Sequence, residues 1–244
     1  MKINGKDITE YSARVRQWRF NPGVTEIDND SEWVRGSPLP FFMCGSAGWK
    51  SFDLTLMVYG DSREDIHTKI SYITAALLAP AKLEIDDWVH KFCGVLKKYT
   101  VREYSDSSRR RWQTVELQIE GYEYGDEVIA TTTGAGTVTV NNPGSLASPA
   151  ILELTPTFGA AETTITGLCR DSLTGADLPV TVRNLVTGKK IILDGASGLI
   201  TQDGAQKAAD VDMWALPSLP PGSSTVIVGT DSVNLTLKVL PIFM

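Results

Sequence analysis

The chain has 244 residues, of which 42% are hydrophobic, and it carries 23 lysines and arginines against 29 aspartates and glutamates. This apolar content excludes a wholly disordered chain, and the net charge of −6 argues against nucleic-acid or anionic-membrane partners. No run approaches the ~20 apolar residues of a membrane span, and the N-terminus lacks the apolar region of a secretory signal, so we expect the protein to stay in the cytoplasm where it is made.

The first 50 residues combine a hairpin signal with an irregular stretch. Asn4-Gly5 is typical of a tight hairpin turn. Residues 20–50 are rich in turn formers and acidic residues, which leaves little room for regular structure. This span either folds back on its own core or lies against a partner, because it also carries large apolar side chains: Trp33, Phe41, Phe42, Met43 and Trp49.

Residues 51–96 predict the core of a first domain. Alternate apolar residues at 52, 54, 56 and 58 indicate a strand with one apolar face. Asp61, with Glu64 three residues later, has the spacing of a helix-capping box. Apolar residues at 66, 70, 73 and 77 form one stripe of a helix, which Pro80 ends. Residues 83 and 85 alternate again, Asp86-Asp87 turn the chain, and a return strand follows.

A second hairpin is predicted after this core. Residues 99–104 and 114–122 are β-rich and flank a polar turn at 105–108. Arg109, Arg110 and Arg111 are expected at the base of this hairpin. A solvated strand edge is the favoured interpretation of the three arginines, and a patch for acidic partners is the alternative.

The composition changes near residue 125, and we place a domain boundary near residue 130 that separates residues 1–130 from residues 131–244. Most of the charged residues lie before it. The second part predicts short strands separated by glycine-containing turns, which is typical of a β-sandwich or barrel. The predicted strands are residues 150–154, 163–168, 180–184, 190–194, 212–216, 225–228 and 233–239.

No constellation of residues predicts catalysis, a cofactor or a metal. The histidines, His67 and His90, have no metal-ligand spacing around them, and the three cysteines are expected to be reduced thiols. Asp210 and Asp212 share a strand face but lack a third ligand for calcium. No phosphate loop, nucleophile elbow or HExxH motif is present. We therefore expect a protein that is not an enzyme.

Two blocks of sequence carry a resemblance to a known family. The first is FDLTLMVYGDSREDIHTKISYITAALLAPAKLEIDDWVHKFCGVL at residues 52–96. The second is NLVTGKKIILDGASGLITQDG at 184–204, followed by DMWALPSLPPGSSTVIV at 212–228. Together they resemble the distal tail proteins of long, flexible-tailed bacteriophages, over nearly the whole chain and in the same order.

The resemblance implies a mainly-β fold, with a β-rich belt domain flanked by one helix and then a galectin-like β-sandwich. It implies a homohexameric ring that joins the tail tube protein to the tail-associated hub protein and in many relatives also carries receptor-binding proteins. DNA would only pass through the lumen, no membrane is involved, and the protein would reside in the virion tail tip after assembly in the host cytoplasm.

A ring subunit needs heterologous faces, each complementary to the next copy. The candidate assembly interface is Trp33, Pro38, Phe41, Phe42, Trp49, Tyr104, Arg109, Arg110 and Arg111. The alternative function is a carbohydrate-binding or adhesin module that contacts the host cell wall. Trp214 could supply the stacking aromatic of such a site, but its apolar neighbours favour packing in a core.

Overall fold

The computed structural model describes residues 1–21, 27–32, 41–86, 88–107, 110–171 and 174–244; at positions 20, 21, 27–32, 41–47, 107 and 110 it describes the backbone alone. The chain divides into two compact units, Met1–Tyr124 with Met244, and Gly125–Phe243. The boundary predicted near residue 130 therefore falls inside the second unit, where residues 128–132 form a strand. No helix in the described ranges is long and apolar enough to cross a membrane.

The first unit is built from antiparallel strands and one α-helix. Its elements are β1 (Lys2–Ile3), β2 (Lys6–Asp7), a 3₁₀ turn (Ile8–Tyr11), β3 (Ala13–Asn21), β4 (Ile27–Glu32), β5 (Phe41–Ala47), β6 (Lys50–Gly60), α1 (Arg63–Ala76), β7 (Ala81–Glu84), β8 (Lys91–Ser107) and β9 (Arg110–Tyr124). The main sheet runs in the order β2-β1-β7-β8-β9-β6-β3, and β4 pairs with β5 in a separate ladder. Asn4 and Gly5 have positive φ and turn β1 into β2, as predicted.

The core of the first unit lies between α1 and one face of the sheet. The predicted strand and helix stripe are both confirmed, because all eight apolar side chains are buried: Phe52, Leu54, Leu56, Val58, Ile66, Ile70, Ile73 and Leu77. β9 supplies the neighbouring buried residues Val115, Leu117 and Ile119, each aligned with a buried residue of β6. The alternation of β6 and the 3.6-residue period of α1 thus converge on one apolar layer.

The predicted helix cap is off by one residue. Ser62, not Asp61, is the N-cap: its backbone is extended and its hydroxyl accepts a hydrogen bond from the Asp65 backbone N–H at 3.0 Å. The Asp65 carboxylate in turn accepts from the Asp61 backbone N–H at 3.0 Å. Glu64 takes no part in this arrangement of hydrogen bonds. The helix ends at Ala76, with Leu77 as its C-cap, short of Pro80.

The expectation that residues 20–50 lack regular structure is wrong for two segments. β4 and β5 form an antiparallel ladder from Ile27↔Ala47 to Glu32↔Phe41. Along the chain, β4 follows β3 and β5 precedes β6, and the β3–β6 ladder reaches Asn21↔Ser51. The β4–β5 ladder therefore lies further along the same pair of chain segments. Glycines and acidic residues disfavour strands, but the long strands β3 and β6 already hold the two chain segments in register, so pairing continues into β4 and β5.

β8 and β9 form the predicted second hairpin, and both strands are longer than expected. Their ladder runs from Lys91↔Tyr124 to Ser107↔Arg110, with bulges in β8 after Leu96 and Val101. Arg110 and Arg111 therefore lie at the turn end of the hairpin and not at its base, which corrects the predicted position. The predicted turn was too long because alternation fades in the polar segment 105–108.

The second unit is a β-sandwich of two antiparallel sheets. Its strands are β10 (Val128–Thr132), β11 (Thr137–Asn142), β12 (Ser148–Pro156), β13 (Ala160–Thr166), β14 (Val180–Leu185), β15 (Ile191–Asp194), β16 (Ile200–Gln202), β17 (Ala205–Gln206), β18 (Val211–Asp212), β19 (Ser218–Leu219), β20 (Gly222–Val228), β21 (Val233–Val239) and β22 (Ile242–Phe243), with a 3₁₀ turn at Ala208–Asp210. One sheet runs β10-β21-β12-β15-β16-β17 and the other β11-β20-β13-β14-β18. Apolar residues of both sheets form one buried cluster, which confirms the predicted all-β architecture.

Two details of the second unit differ from the sequence prediction. The strand expected at residues 212–216 is reduced to β18, and the region of the predicted boundary holds β10 and β11, for which no strands were predicted. The alternation in β11 is complete, since Val138, Val140 and Asn142 are buried while Thr137, Thr139 and Asn141 are exposed. Threonine and valine have high β propensity, which explains why this segment forms a strand although its low charge had suggested a domain boundary.

A buried ion pair fixes the start of β6. Lys50 Nζ donates to Glu123 Oε2, and the two side chains are only 9% and 7% exposed. Trp88 Nε1 donates to the other oxygen, Glu123 Oε1, at 2.9 Å. Because a buried charge without its partner is costly, these contacts strongly constrain where the strand begins.

The cap assignment makes a first prediction. Ser62→Ala should lower the free energy of unfolding of the first unit by about 1 kcal/mol, because the Asp65 N–H loses its acceptor. Asp61→Ala is the matched control and should change it by under about 0.5 kcal/mol. Urea unfolding followed by circular dichroism at the helix band measures both. A larger loss for Asp61→Ala than for Ser62→Ala contradicts the assignment.

The ion pair makes a second prediction. Lys50→Met alone should destabilise the first unit by about 3–5 kcal/mol, because Glu123 is left as an uncompensated buried charge. Lys50→Met combined with Glu123→Gln should recover much of this loss, since the neutral amide still offers Trp88 an acceptor. Urea titrations of the three proteins give the comparison. If the single variant is as stable as the parent, the ion pair does not contribute to the stability of the first unit, and the prediction is wrong.

Candidate assembly surfaces

The structure describes only some of the residues proposed for the assembly interface. Trp33, Pro38 and Arg109 lie outside the described residues. A second group is placed by its backbone alone: Phe41 and Phe42 begin β5, and Arg110 begins β9. The side chains of Trp49, Tyr104 and Arg111 are described, so the geometry of the candidate surface is built from these three.

Trp49 is an exposed aromatic residue on a rigid base. It directly precedes β6, and 61% of its surface is accessible. Its ring centroid lies 6.4 Å from that of Tyr122, which is 6.2 Å from that of Tyr124. The next residue, Lys50, is held by the buried pair with Glu123. The indole is thus presented to solvent by a backbone that is fixed in place.

The environment of Tyr122 shows how closely this base is packed. Burial, followed by a hydrogen bond with Cys93, raises the pKa of the Tyr122 phenol to about 12. The phenol therefore stays neutral at physiological pH. Cys93 is a buried free thiol, and so is Cys169 in the second unit; the side chain of Cys44, the third predicted thiol, lies outside the described residues.

Tyr104 and Arg111 have partners within their own unit. Tyr104 is half-buried against the first core, and the Arg63 guanidinium carbon lies 5.5 Å from its ring centroid. Arg111 is exposed; its Nε donates to Asp106 Oδ1 at 2.8 Å and its Nη1 to the Asp61 carbonyl. The hydrogen bond to Asp106 raises the pKa of the Arg111 guanidinium. A role of either residue in assembly stays a prediction.

Arg111 also lines an open cavity of about 490 Å³ beside the start of α1, together with Arg14 and Lys69. Lys69 Nζ donates to Asp65 Oδ2 at 2.7 Å and to the Tyr59 carbonyl at 3.1 Å. Two of the three cations are therefore already matched by carboxylates. The cavity is close to electrically balanced, which makes it a poor anion site.

Trp214 corrects a sequence prediction in the second unit. Packing in the core was expected, but 89% of its surface is exposed. Its neighbours Met213 and Ala215 pack against the sandwich core, whereas Leu216 is 49% exposed. The chain bends at residues 214 and 215, so the indole lies exposed between two neighbours that pack inward. The sequence did not predict this exposure, because a bend breaks the alternation expected of a strand.

The acidic residues weighed for calcium are paired with nitrogen donors. Asp210 accepts from Lys207 Nζ at 3.0 Å and from Asn184 Nδ2 at 2.9 Å, and these hydrogen bonds lower the pKa of its carboxyl group. Asp212 accepts from Arg183 Nη2. Within the described ranges, no group of three or more potential ligands could hold a metal ion. The arrangement is that of local ion pairs on a sheet edge.

The whole chain is similar to solved structures of phage tail components. No protein-family model matches the sequence, and no curated protein matches it. The SPP1 Dit protein, described as a paradigm of the hub adsorption apparatus in phages that infect Gram-positive bacteria, aligns with a TM-score of 0.70 and 17% identity over 99% of this chain and 98% of its own.

Two structures of a phage P2 baseplate in its activated conformation also align. The form with Ca has a TM-score of 0.57 at 10% identity and covers 96% of this chain and 92% of its own. The form with Sr has a TM-score of 0.51 at 10% identity and covers 94% and 92%. The two units, in this order and over nearly the full length, therefore have the fold of a phage distal tail protein.

Proposed function

We propose that this chain is a structural component of the tail tip of a long, flexible-tailed phage. The observation that carries the proposal is the alignment with SPP1 Dit over 99% of this chain and 98% of that protein, because it covers both units together. A match of one sandwich alone would say little, since sandwiches serve many functions.

In this role six copies close into a ring through the first unit. The ring joins the tail tube protein above to the hub protein below, and receptor-binding proteins attach to it. DNA passes through the lumen, the role is not enzymatic, and the protein resides in the virion after assembly in the host cytoplasm. A net charge of −6 suits a ring that DNA must traverse without binding.

The exposed surface of Trp49 is a physical reason to expect self-association. An indole carries 150–250 Å² of surface, so covering its exposed part contributes roughly 3 kcal/mol at about 25 cal/mol per Å². The preformed base of Tyr122 and Lys50 means that little side-chain entropy is lost on contact. Exposed, rigidly held tryptophans are typical of the centres of protein interfaces.

Electron microscopy of the purified protein tests the ring directly. At high protein concentration, or after mixing with tube and hub proteins, we expect rings with a central hole. Particles that remain single and unattached under both conditions would falsify the proposed function.

Substitution of Trp49 tests its contribution. Trp49→Ala should weaken self-association about a hundredfold, as measured by sedimentation velocity over a concentration series, because the indole contact is lost. Tyr72→Ala is the matched control: Tyr72 is an aromatic residue of the same unit, 64% exposed on α1, and should leave association unchanged. Equal effects of the two substitutions would exclude a specific role for Trp49.

A carbohydrate-binding module at the tail tip is the second candidate, and the exposure of Trp214 favours it. An indole that is 89% exposed can stack on a sugar ring. We expect Trp214→Ala to reduce pelleting of the protein with purified cell-wall glycans about tenfold, and Leu199→Ala, the control at another exposed apolar residue, to leave it unchanged. Absence of pelleting by the parent protein removes this candidate and leaves the ring intact.

A further inference from the structure

We propose that Asn4, in the turn between β1 and β2, is a site of spontaneous deamidation that the folded first unit keeps closed. The modification replaces the side-chain amide by a carboxyl group, with water as the co-reactant and ammonia as a product. The inference goes beyond the proposed function and does not depend on it, because every contact that carries it lies within the first unit of one copy.

The first observation is the dipeptide itself. The sequence contains a single Asn-Gly pair, Asn4-Gly5, and both residues are exposed. Glycine has no side chain, so its backbone nitrogen reaches the side-chain carbonyl carbon of a preceding asparagine with the least obstruction. The turn itself calls for this pair, since φ is +51° at Asn4 and +79° at Gly5, and such left-handed two-residue turns favour Asn-Gly.

The reaction has two balanced steps. The Gly5 backbone nitrogen bonds to the Asn4 side-chain carbonyl carbon, the bond from that carbon to Nδ2 breaks, and Nδ2 leaves as ammonia with the Gly5 amide proton. Water then adds to one of the two carbonyl carbons of the resulting cyclic imide and breaks the bond from that carbon to nitrogen. The product is aspartate, or isoaspartate in which the main chain runs through the former side-chain carbon.

The second observation is the set of hydrogen bonds that hold the Asn4 side chain. The Asn4 backbone N–H donates to the Lys82 carbonyl at 2.8 Å, and the Lys82 N–H donates to Asn4 Oδ1 at 2.9 Å. The side-chain oxygen thus takes the acceptor place that a backbone carbonyl has in a regular antiparallel pair. Asn4 Nδ2 donates to the carbonyl of Ala76, the last residue of α1, at 3.4 Å. Ring closure requires the amide to leave both partners, so these bonds keep the site closed.

The third observation is the burial of the residue before the turn. Ile3 is fully buried in the first core, and it pairs with Leu83 of β7. The turn therefore cannot swing away from β7 and α1 without exposing an apolar side chain. Local openings of this kind have free energies that range up to that of global unfolding. The site becomes reactive when β1 opens.

The product does not restore the folded contacts. An aspartate at this position has no N–H for the Ala76 carbonyl, and it places a negative charge beside the C-terminal end of α1, where the helix dipole disfavours anions. Isoaspartate lengthens the main chain within a two-residue turn, whose length fixes the strand register. The modification thus leaves a permanent record that β1 has opened.

Peptide mass spectrometry of the full chain tests the closed state. The protein is incubated at mildly alkaline pH, in buffer and in urea that unfolds the first unit. We expect Asn4 to deamidate at least about tenfold more slowly in buffer, because a closed turn reacts only through its open fraction. Asn234, exposed and followed by a leucine, is the internal control and should stay intact in both. Equal rates at Asn4 in the two conditions, or no reaction there in urea, overturn the inference.

A variant that imitates the product tests the consequence. Asn4→Asp should lower the urea concentration at the midpoint of unfolding of the first unit, measured by circular dichroism at the helix band. Gln17→Glu makes the same change from amide to carboxyl at an exposed residue of β3 and should leave the midpoint unchanged. If Asn4→Asp unfolds at the parent's midpoint, the side chain does not hold the turn and the inference is overturned. Neither measurement depends on association, so rings of the parent protein test the proposed function separately.

Discussion

The first unit depends on the contact between the apolar face of β6 and the buried stripe of α1. Leu54 and Leu56 are fully buried beside Ile66 and Ile73, and each such side chain contributes roughly 1.5–3 kcal/mol on leaving water. One helix covers only one face of a sheet. The opposite face of β6 therefore carries polar side chains such as Asp53 and Thr55, and the sheet still ends in strand edges that the helix does not protect.

The second unit meets the same requirement differently, because its two sheets bury each other's apolar faces. Charged side chains on its surface are matched locally: Glu153 accepts from Lys190 at 2.7 Å and also pairs with Lys238, and these bonds lower the pKa of its carboxyl group. Folding of this unit leaves its core fully covered. The exposed indole of Trp214 is therefore not required by the sandwich itself, which is why it is informative about contacts with other molecules.

The sequence predicts those features of the fold that depend on periodicity. Alternation places β6, and a 3.6-residue stripe places α1, because burial imposes those periods directly. Ser62 shows a first limit, since adjacent residues can both cap a helix and only backbone geometry selects one. The β4–β5 ladder shows a second limit: its residues have weak β propensity, and its strands exist through the register of β3 and β6. Of the candidate surface, the sequence showed which large apolar residues lie outside the periodic core, but the exposure of Trp49 emerges only from the structure, and its role in assembly stays a prediction.

Trp49 and Trp214 show what kind of function this architecture can support. Each is exposed because its neighbours are fixed inward, Lys50 by its ion pair and Met213 by the sandwich core. The polar groups weighed for chemistry, in contrast, are engaged by their own unit, as Asp210 is by Lys207. Catalysis needs polar groups aimed at a substrate, whereas assembly needs rigid apolar groups and free backbone edges. Among the described residues, Trp49 and Trp214 are rigidly held apolar groups of the kind that the proposed assembly requires.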